Sequence, residues 1–322
     1  MPRAPQRPII GIDLGGTNMQ IGVVSADGKV LARVKHKTHA SEGYAKVVAR
    51  IIAGIGEACA EAKILPRSIS CVGIGAPGAI DASTGVVLEA PNLRWNNAPL
   101  GATLRKAFGR PVSVDNDVRS AIFGEHRLGA GRGCTELLGV WIGTGIGGGL
   151  ILNNQLYRGF SNTAGEIGHV TLFPHMPPGT RSLENNCSRT AIVERMVKLI
   201  KTNHASIVPK LAEGDLSDVK ARIVAAAYAK RDKVTRTVIE DAALNLGIGI
   251  ASAVTLLGLQ RVVLGGGLTE SMGEDLVNLV RQSVHKHAFP AIAKRVEVVK
   301  TMLDADAGLL GAAMLAASRA KL

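Results

Sequence analysis

Two aspartates lie where predicted strands end, and their chemistry suits the activation of a hydroxyl group. Asp117 follows the short predicted strand Val112–Val114 and begins a predicted helix. A carboxylate there can be only a helix cap. Beside a phosphate it can instead accept the proton of an attacking hydroxyl, which typically contributes a factor of about 10²–10⁴ to a rate. Asp13 precedes a Gly-Gly turn and can hold Mg²⁺, with water between them, because this ion keeps much of its hydration. Asp117 is therefore the candidate base and Asp13 the candidate metal ligand.

Three glycine-rich segments are candidates for contact with phosphate groups or a nucleoside. They are Gly15-Gly16-Thr17-Asn18, Gly143-Thr144-Gly145-Ile146-Gly147-Gly148-Gly149 and Gly265-Gly266-Gly267. Glycine lets backbone N–H groups approach a phosphate because no Cβ stands in the way. In the first segment, Thr17 and Asn18 add side-chain donors. An ordinary hairpin turn is the alternative interpretation of that segment.

The second segment carries the strongest signal. It holds five glycines in seven positions, which is costly in chain entropy and more than a structural turn needs. It lacks the Gly-Lys-Ser/Thr of a Walker A loop, so a different kind of close backbone approach to a ligand is predicted. The third segment follows the predicted strand Arg261–Leu264 and could seat a ribose and base. A tight turn before a helix is the alternative there.

A further group of polar residues is typical of a site that recognises hydroxyl groups. Glu166 and His169 are close together in the segment Gly165–His169, and Glu184 follows a proline-containing loop. A lone histidine is more often structural. Two carboxylates and an imidazole near a glycine-rich site indicate sugar binding, and a site built to hydrogen-bond hydroxyls discriminates strongly against analogues that lack them.

Composition excludes several classes of protein. The chain has 322 residues, is 46% hydrophobic and contains 38 glycines but only 5 Phe, 3 Tyr and 2 Trp. This favours an α/β protein of about two domains over a nucleic-acid stacking platform, which needs aromatic faces. The net charge of +12 is spread over short runs, which are expected to be solvated faces. We therefore predict neither a nucleic-acid nor a membrane partner.

The cysteines and the apolar segments indicate a cytoplasmic protein. The four cysteines are far apart, with no CxxC pair, so neither a zinc ribbon nor a disulfide framework is expected. Residues Met1–Pro8 are not followed by the apolar core of a signal peptide. The apolar stretch Leu244–Leu259 is interpreted as a buried helix, because it is short for a membrane span.

The order of predicted elements indicates two α/β units. Predicted strands are Ile9–Leu14, Met19–Ser25, Val30–Val34, Cys71–Gly75, Val112–Val114, Leu137–Ile142, Leu150–Leu152, Arg261–Leu264 and Val296–Lys300. Predicted helices are Tyr44–Ala62, Asp117–Leu128, most of Thr190–Leu259 and a last one from Ala307; the stretch from Gly78 to about Arg110 is expected to be mainly loop. The pattern of strand, glycine turn, strand, polar turn begins again near residue 137. A two-lobed fold with a central cleft is predicted, with residues 1–118 plus 302–322 in a small lobe and 119–301 in a large one.

Taken together and in order, these motifs resemble the ROK family (repressors, open reading frames, sugar kinases), and within it the bacterial glucokinases. The matching pieces are Ile12–Asn18, Gly73–Gly78, Pro91-Asn92-Leu93 with Trp95, Asp115–Asp117, Gly143–Gly149, Gly165–His169, Leu183-Glu184, Leu264–Gly267 and Asp306–Ala312. Any one piece is weak, but nine in order across almost the whole chain are specific.

The resemblance implies an actin-like fold of ribonuclease-H-like halves and transfer of the γ-phosphoryl group of Mg·ATP to the 6-hydroxyl of a hexose, with Asp117 as general base. The residues that it assigns to sugar binding are Gly75, Ala76, Pro77, Gly78, Asn92, Asn116, Asp117, Glu166, His169 and Glu184. Those that it assigns to ATP and Mg²⁺ are Asp13, Gly15, Gly16, Thr17, Asn18, Gly143, Thr144, Gly145, Gly265, Gly266 and Gly267. It also implies a homodimer or tetramer.

The chain departs from the family pattern at two places. The family's structural zinc site uses a histidine equivalent to His169 and a cysteine-rich run, whereas here the run before Glu184 is shorter and has no cysteine. Ser182 takes the place of the last of those cysteines, and Cys187 is out of register. No structural zinc is therefore predicted. The second departure is Arg119, where many relatives carry Asn.

Several alternatives remain open on the sequence alone. Glucose is the favoured hexose, but mannose, N-acetylglucosamine, fructose and allose are handled by similar proteins, and polyphosphate could be a phosphoryl donor. A sugar-sensing regulator is the non-enzymatic alternative. Regulators of this family carry a helix-turn-helix domain before the first phosphate motif, and no such domain is expected here because that motif begins at Asp13.

Overall fold

The computed structural model describes residues 7–320. Its strands are β1 (Ile9–Leu14), β2 (Asn18–Val24), β3 (Val30–Lys37), β4 (Val72–Ala76), β5 (Ala79–Asp81), β6 (Val86–Ala90), β7 (Trp95–Ala98), β8 (Val112–Asn116), β9 (Leu137–Ile142), β10 (Ile146–Leu152), β11 (Gln155–Tyr157), β12 (Arg261–Gly265) and β13 (Glu297–Lys300). Its α-helices are α1 (Tyr44–Glu61), α2 (Leu100–Phe108), α3 (Asp117–Leu128), α4 (Leu183–Cys187), α5 (Arg189–Lys201), α6 (Val208–Leu211), α7 (Ala221–Ala229), α8 (Lys233–Leu257), α9 (Gly267–Met272), α10 (Glu274–His287) and α11 (Ala307–Arg319).

The chain forms two compact units, each containing a five-stranded sheet of its own. The first contains the described residues of Met1–Arg132, Arg158–Ala164 and Ala305–Leu322, and the second contains Gly133–Tyr157 and Gly165–Asp304. In this grouping α3 lies in the first unit, whereas the predicted boundary places residue 119 onward in the large lobe. The two-lobe division stays a prediction, and its outermost residues 1–6 and 321–322 lie outside the described part of the chain.

The sheet of the first unit has the strand order β3-β2-β1-β4-β8. β1 pairs antiparallel with β2 and parallel with β4, and β4 pairs parallel with β8. The central strands β1 and β4 are almost wholly buried, as expected for parallel strands covered on both faces. Their continuous apolar runs explain why these strands could be predicted from the sequence.

The prediction of a loop-rich segment up to about Arg110 is wrong. This segment forms a three-stranded antiparallel sheet, β5-β6-β7, followed by α2. The strands are three to five residues long and carry polar residues such as Glu89 and Asn96, so they show little period-two hydrophobicity. Helix α2 buries Leu100 and Leu104 and ends at Gly109, whose φ of 59° is the left-handed conformation typical of a helix C-terminus.

Two glycines bring α3 and α11 into very close contact within the first unit. A Cβ at Gly311 would overlap the carbonyl oxygen of Ser120. A Cβ at Gly124 would lie 2.7 Å from the carbonyl oxygen of Ala307. Backbone therefore packs directly on backbone, and the position of α3, the helix that begins with Asp117, depends on these two missing side chains.

The second unit repeats the topology of the first. Its sheet has the order β11-β10-β9-β12-β13, with β9 and β10 antiparallel and β12 parallel to β9 and β13. The internal repeat indicated by the sequence is therefore confirmed at the level of strand order. The strand β10 begins at Ile146 rather than at the predicted Leu150, so Gly147, Gly148 and Gly149 belong to a strand.

Helix α8 is the long apolar helix of the second unit. With 25 residues it begins at Lys233, well before the predicted Leu244. By length and composition it is the one helix within residues 7–320 that could cross a membrane, but 56% of its most apolar window is buried. Its side chains Val238, Leu246 and Ile250 belong to the core of this unit.

Candidate active site

The carboxyl ends of three parallel strands bring the key residues of the first unit together. Asp13 of β1 pairs with Gly75 of β4, and Gly75 pairs with Asp115 of β8. Asn116 and Asp117 follow directly. In open α/β sheets this edge is the one that binds ligands, so the predicted base and the predicted metal ligand share the expected position.

Local packing leaves Asp117 available for chemistry. A Cβ at Gly75 would lie 3.1 Å from the Cα of Asp117, so this glycine allows the strand end and the helix start to approach. The cap of α3 is Asn116, whose Oδ1 accepts a hydrogen bond from the backbone N–H of Arg119 at 3.0 Å. The side chain of Asp117 accepts a hydrogen bond from the neighbouring N–H of Val118 at 2.8 Å. The capping role that the sequence left open for Asp117 is thus filled by its neighbour.

Asp13 and Asp117 both have raised pKa values. Burial, with a smaller contribution from the charge of Asp117, raises the pKa of Asp13 from 3.8 to about 7. Burial also raises the pKa of Asp117, while Arg119 is among the groups that act in the opposite direction. A bound cation stabilises the ionised form of neighbouring carboxylates whose pKa values are raised. The residues present therefore fit the Mg²⁺ expected at Asp13.

Replacing Asp13 with Asn should stabilise the metal-free protein at pH 8. Because the pKa of Asp13 is raised, the folded protein retains a proton that the unfolded chain releases above about pH 4. Stability is therefore lost as the pH rises from there through about 7. Removing the carboxylate should raise the free energy of unfolding at pH 8 by on the order of 1–3 kcal/mol, and by much less at pH 5.

Thermal unfolding in EDTA at both pH values checks this prediction, with exposed Asp27→Asn as control. Adding Mg²⁺ at pH 8 should raise the Tm of the wild type more than that of Asp13→Asn. Equal Tm values for wild type and Asp13→Asn at pH 8 would show that Asp13 is not strained by burial.

The first glycine segment is a tight turn that exposes its polar residues. The N–H of Gly15 donates to the carbonyl of Asn18 at 2.9 Å. Buried Thr38 holds the turn, because its hydroxyl donates to the carbonyl of Gly15 at 2.6 Å. Thr17 and Asn18 are exposed and free to meet a ligand. A Cβ at Gly16 would lie 3.0 Å from the Cβ of Asn92, so the structure places a predicted sugar contact beside a predicted phosphate turn.

The predicted sugar-pocket turn Gly75–Gly78 is fastened to Asn116. The Nδ2 of Asn116 donates to the carbonyl of Gly78 at 3.2 Å. Gly78 has a φ of 92°, and a Cβ there would overlap the carbonyl of Glu89. Ala76 and Pro77 are buried and Gly78 is exposed. The amide of Asn116 is thus engaged in capping and in holding this turn, and its contact with a sugar stays a prediction.

A buried cluster of charged side chains surrounds Asp115, and no sequence motif predicts it. This carboxylate, 2% exposed, accepts from the Nε of Arg119 at 2.9 Å, from the Nη2 of Arg158 at 2.7 Å and from the Nη2 of Arg319 at 2.8 Å. Burial alone would raise the pKa of Asp115, but the three guanidinium groups hold it below its usual value. Arg158 is 43 residues from Asp115 in the sequence, and Arg319 is 204 residues from it. No local sequence pattern reveals contacts over such separations.

In the second unit, the turn between β9 and β10 is held from one side by α5. The N–H of Gly143 donates to the carbonyl of Gly145 at 2.9 Å. The Nη2 of Arg189 donates to the hydroxyl of Thr144 at 3.1 Å, and the hydroxyl of Thr190 donates to the carbonyl of Thr144 at 2.8 Å. Thr144 itself is exposed at the tip of the turn, and its contact with phosphate stays a prediction.

Glu184 contacts this turn directly. Its Oε2 accepts from the backbone N–H of Ile146 at 2.7 Å, and a Cβ at Gly145 would overlap the same oxygen. Glu184 stands in the first turn of α4, which is capped by Ser182 in a reciprocal capping box with Asn185. Glu184, which is predicted to bind the sugar, therefore also stabilises the turn between β9 and β10, which is predicted to bind phosphate.

Variants of Glu184 should separate these two roles. Glu184→Ala removes the acceptor for Ile146 and should raise the KM values for both hexose and ATP, the former by about 10–100-fold. Glu184→Gln keeps an acceptor oxygen and should raise mainly the hexose KM. Steady-state kinetics with each substrate varied in turn test this, and an unchanged hexose KM in both variants would remove Glu184 from the sugar site.

Two further glycines of the second segment, Gly148 and Gly149, pack closely against Gly165. A Cβ at Gly148 would overlap the carbonyl of Gly165, and one at Gly168 would overlap the carbonyl of Ile146. These glycines therefore leave room for the chain segment Gly165–His169, and the close approach of a ligand to Gly143, Thr144 and Gly145 stays a prediction. This packing leaves Glu166 and His169 exposed, next to the strand that follows the turn.

Gly265 and Gly266 have a similar structural explanation. A Cβ at Gly265 would lie 2.6 Å from the ring of Trp141, and one at Gly266 would lie 2.7 Å from the backbone N of Ile142. Gly267 has open space around its Cβ position. The close approach to a nucleoside thus stays a prediction that rests mainly on Gly267 and on the exposed side of this turn.

The shortened loop before Glu184 closes without cysteines. Thr171 and Ser182 form an isolated antiparallel bridge, and the N–H of Leu183 donates to the carbonyl of Val170 at 2.9 Å. Within residues 7–320 there is no group of three His, Cys, Asp or Glu residues that could hold a metal ion. The absence of structural zinc remains a prediction for metal analysis.

A groove of about 620 Å³ lies along α5, beside the glycine turn. It begins at Arg189 and Thr190, the two residues that bond Thr144, and continues past Val197 and Lys201 to Ser217. Its volume is in the range of small-molecule sites.

Comparison with known proteins agrees with this arrangement. The family model described as ROK matches residues 9–319. The chain belongs to the ROK family. It is 35% identical over 320 residues to a glucokinase of Thermotoga maritima, covering 98% of this chain and 99% of that relative. It is 29% identical to a xylose repressor of Caldicellulosiruptor bescii, covering 94% of this chain and 76% of the repressor.

Among solved structures, a ROK family glucokinase from Streptomyces griseus in complex with glucose and AMPPNP superposes with a TM-score of 0.84 at 30% identity, covering 97% of this chain and 99% of that one. The predicted actin-like α/β fold is thereby confirmed. The roles of individual site residues stay predictions.

Proposed function

We propose that this ROK protein is an ATP-dependent glucokinase, an ATP:hexose 6-phosphotransferase. The observation that carries the proposal is the row Asp13, Gly75 and Asp115 across three parallel strand ends, which sets Asp117 beside Asp13 at the edge where ligands bind. The Thermotoga maritima glucokinase and the solved Streptomyces griseus glucokinase support it. The comparisons do not favour the other hexoses, a polyphosphate donor or a regulator.

In the proposed reaction, Asp117 accepts the proton of the sugar 6-hydroxyl as its oxygen attacks the γ-phosphorus of ATP. The new O–P bond forms while the bond to the bridging oxygen of ADP breaks, so the products are the hexose 6-phosphate and ADP. Positioning and charge neutralisation supply most of the catalysis in phosphoryl transfer. Mg²⁺, associated with Asp13, would neutralise the phosphate charge. Thr17, Asn18 and the N–H groups of the first glycine turn would orient the phosphates.

The second unit would contribute the remaining contacts to the two substrates. Thr144 and the exposed turn around it are proposed to bind phosphate, and the adjacent groove along α5 has room for a nucleoside. Glu166, His169 and Glu184 are proposed to accept or donate hydrogen bonds to the sugar hydroxyls. A substrate recognised through several hydroxyls is held in one orientation, which selects the attacking oxygen.

The test is ADP release from Mg·ATP with glucose, mannose, N-acetylglucosamine, fructose and allose, and with polyphosphate in place of ATP. Glucose is expected to give the highest kcat/KM, and the product should carry phosphate on the 6-hydroxyl. If folded protein releases no ADP with any of these sugars, the proposal is overturned. A higher kcat/KM with another hexose would identify that hexose as the substrate in place of glucose. A cytoplasmic location and a homodimer or tetramer stay predictions.

A further inference from the structure

We propose that Arg119 is a positioning residue for hexose binding. It joins the segment Arg158–Ala164 to the junction of β8 and α3, and so fixes Asn116 and the turn at Gly78 for the sugar. This inference rests on the proposed function, because it assigns Asn116 and Gly78 to the sugar site.

The contacts of Arg119 connect two parts of the first unit that are distant in sequence. Its side chain is 2% exposed and stands in the first turn of α3. The Nε donates to Asp115 at 2.9 Å, and the Nη1 donates to the carbonyl of Asn162. A single guanidinium therefore bridges the end of β8 and the segment Arg158–Ala164.

The same segment is attached to Asp115 a second time. Arg158 donates to Asp115 through its Nε at 3.1 Å and its Nη2 at 2.7 Å, and the N–H of Ala164 donates back to the carbonyl of Arg158 at 3.0 Å. The segment is thus a closed loop held at two places, at Arg158 and at Asn162. Arg119 supplies the attachment at Asn162.

Arg119 also acts on Asn116 through its backbone. Its N–H donates to the Oδ1 of Asn116, whose Nδ2 then donates to the carbonyl of Gly78. A shift of Arg119 would therefore move Asn116 and the turn at Gly78 together. Misplacement of a substrate-binding group by about 1 Å can cost about 100-fold in rate.

A purely stabilising role explains the arrangement less well. The Nη2 of Arg119 is buried and, within residues 7–320, has no hydrogen-bond partner, which lowers stability. A buried ion pair is weak evidence for stability in general, because apolar residues of similar volume often replace it without loss. The geometry favours a role in holding position.

Three variants test the inference: Arg119→Met, Arg119→Lys and, as control, Arg127→Met, which removes an exposed guanidinium from the same helix. Arg119→Met should raise the KM for glucose by about 10–100-fold, with kcat at saturating glucose and the KM for ATP nearly unchanged. Arg119→Lys keeps the charge beside Asp115 but lacks a second arm for Asn162, so its glucose KM should lie between wild type and Arg119→Met. Arg127→Met should behave as wild type.

Hydrogen exchange provides a readout that is independent of turnover. Amides of Arg158–Ala164 should exchange faster in both Arg119 variants and at the wild-type rate in Arg127→Met. An unchanged glucose KM in folded Arg119→Met, or a fall in kcat with no change in KM, would overturn the inference. If Arg119→Met does not fold, the glucose KM of Arg119→Lys decides in the same way.

The two proposals fail separately. If wild-type protein phosphorylates no hexose, the proposed function falls, and unchanged exchange in Arg158–Ala164 would then overturn the bridge as well. Activity with a normal glucose KM in the Arg119 variants would leave the kinase intact and remove only this inference.

Discussion

Asp117→Ala is expected to lower kcat for glucose phosphorylation by about 10²–10⁴-fold while glucose still binds. Asp117 begins α3 but does not cap it, since Asn116 does so. Its replacement by alanine should therefore leave the helix and the other sugar contacts in place and remove the proton acceptor. The raised pKa of this carboxyl brings it nearer to the working pH, which suits a general base.

The measurement is steady-state ADP release together with glucose binding by calorimetry. Asp27→Ala, which removes an exposed carboxylate from a surface turn of the same unit, should keep full activity. More than about a tenth of wild-type kcat in Asp117→Ala would mean that the base has been misassigned. Loss of glucose binding would show instead that this carboxylate mainly holds the sugar.

Gly311→Ala is expected to destabilise the first unit strongly. The added methyl group would overlap the carbonyl oxygen of Ser120 in α3 and would lie 2.9 Å from the backbone N of Gly124. Backbone atoms cannot rotate away as a side chain can, so the helices must separate. Overpacking typically lowers the free energy of unfolding by about 1–3 kcal/mol and occasionally more. Because the added methyl group would meet backbone atoms of α3, we expect a loss near the upper end of this range.

Gly56→Ala is the matched control. Gly56 stands within α1, and its Cβ position has no neighbour within 4 Å. The same substitution there should raise stability by about 0.5–1 kcal/mol, since alanine is the better helix former. Urea unfolding of the two variants and the wild type measures the difference. Equal midpoints for Gly311→Ala and the wild type would show that α3 and α11 can separate at little cost.

Part of this architecture could be predicted because the signals are local. The buried strands β1 and β9 are continuous apolar runs, and the glycine turns that follow them are visible as motifs. The segment β5 to β7 could not be predicted, since its strands are short and mix Glu89 or Asn96 with apolar residues. Pairing with neighbouring strands, rather than intrinsic preference, decides its conformation.

The candidate site, too, could be predicted only where its signals are local. Asp13, Asp117 and Glu184 are recognisable from residue type and order. The bonds that hold the site in shape connect residues far apart in the chain, such as Glu184 with Ile146 and Asp115 with Arg319. Some glycines in Gly143–Gly149 form a turn and others pack against another chain segment, and Arg119 bridges two segments. Neither feature has a sequence signature, because both depend on residues that are distant in the sequence.

The three separate segments of the first unit impose an order on biosynthesis. A ribosome makes most of this unit, then the whole of Gly165–Asp304 in the second unit, and only then Ala305 onward. The nascent chain therefore carries α3 without α11, and Asp115 without Arg319, while the second unit can already form its sheet. Domains generally fold as units during synthesis. We expect α3, the helix that begins with Asp117, to reach its final position last. A translation product that ends before Ala305 would then contain a folded second unit but would not hold Asp117 in its final position.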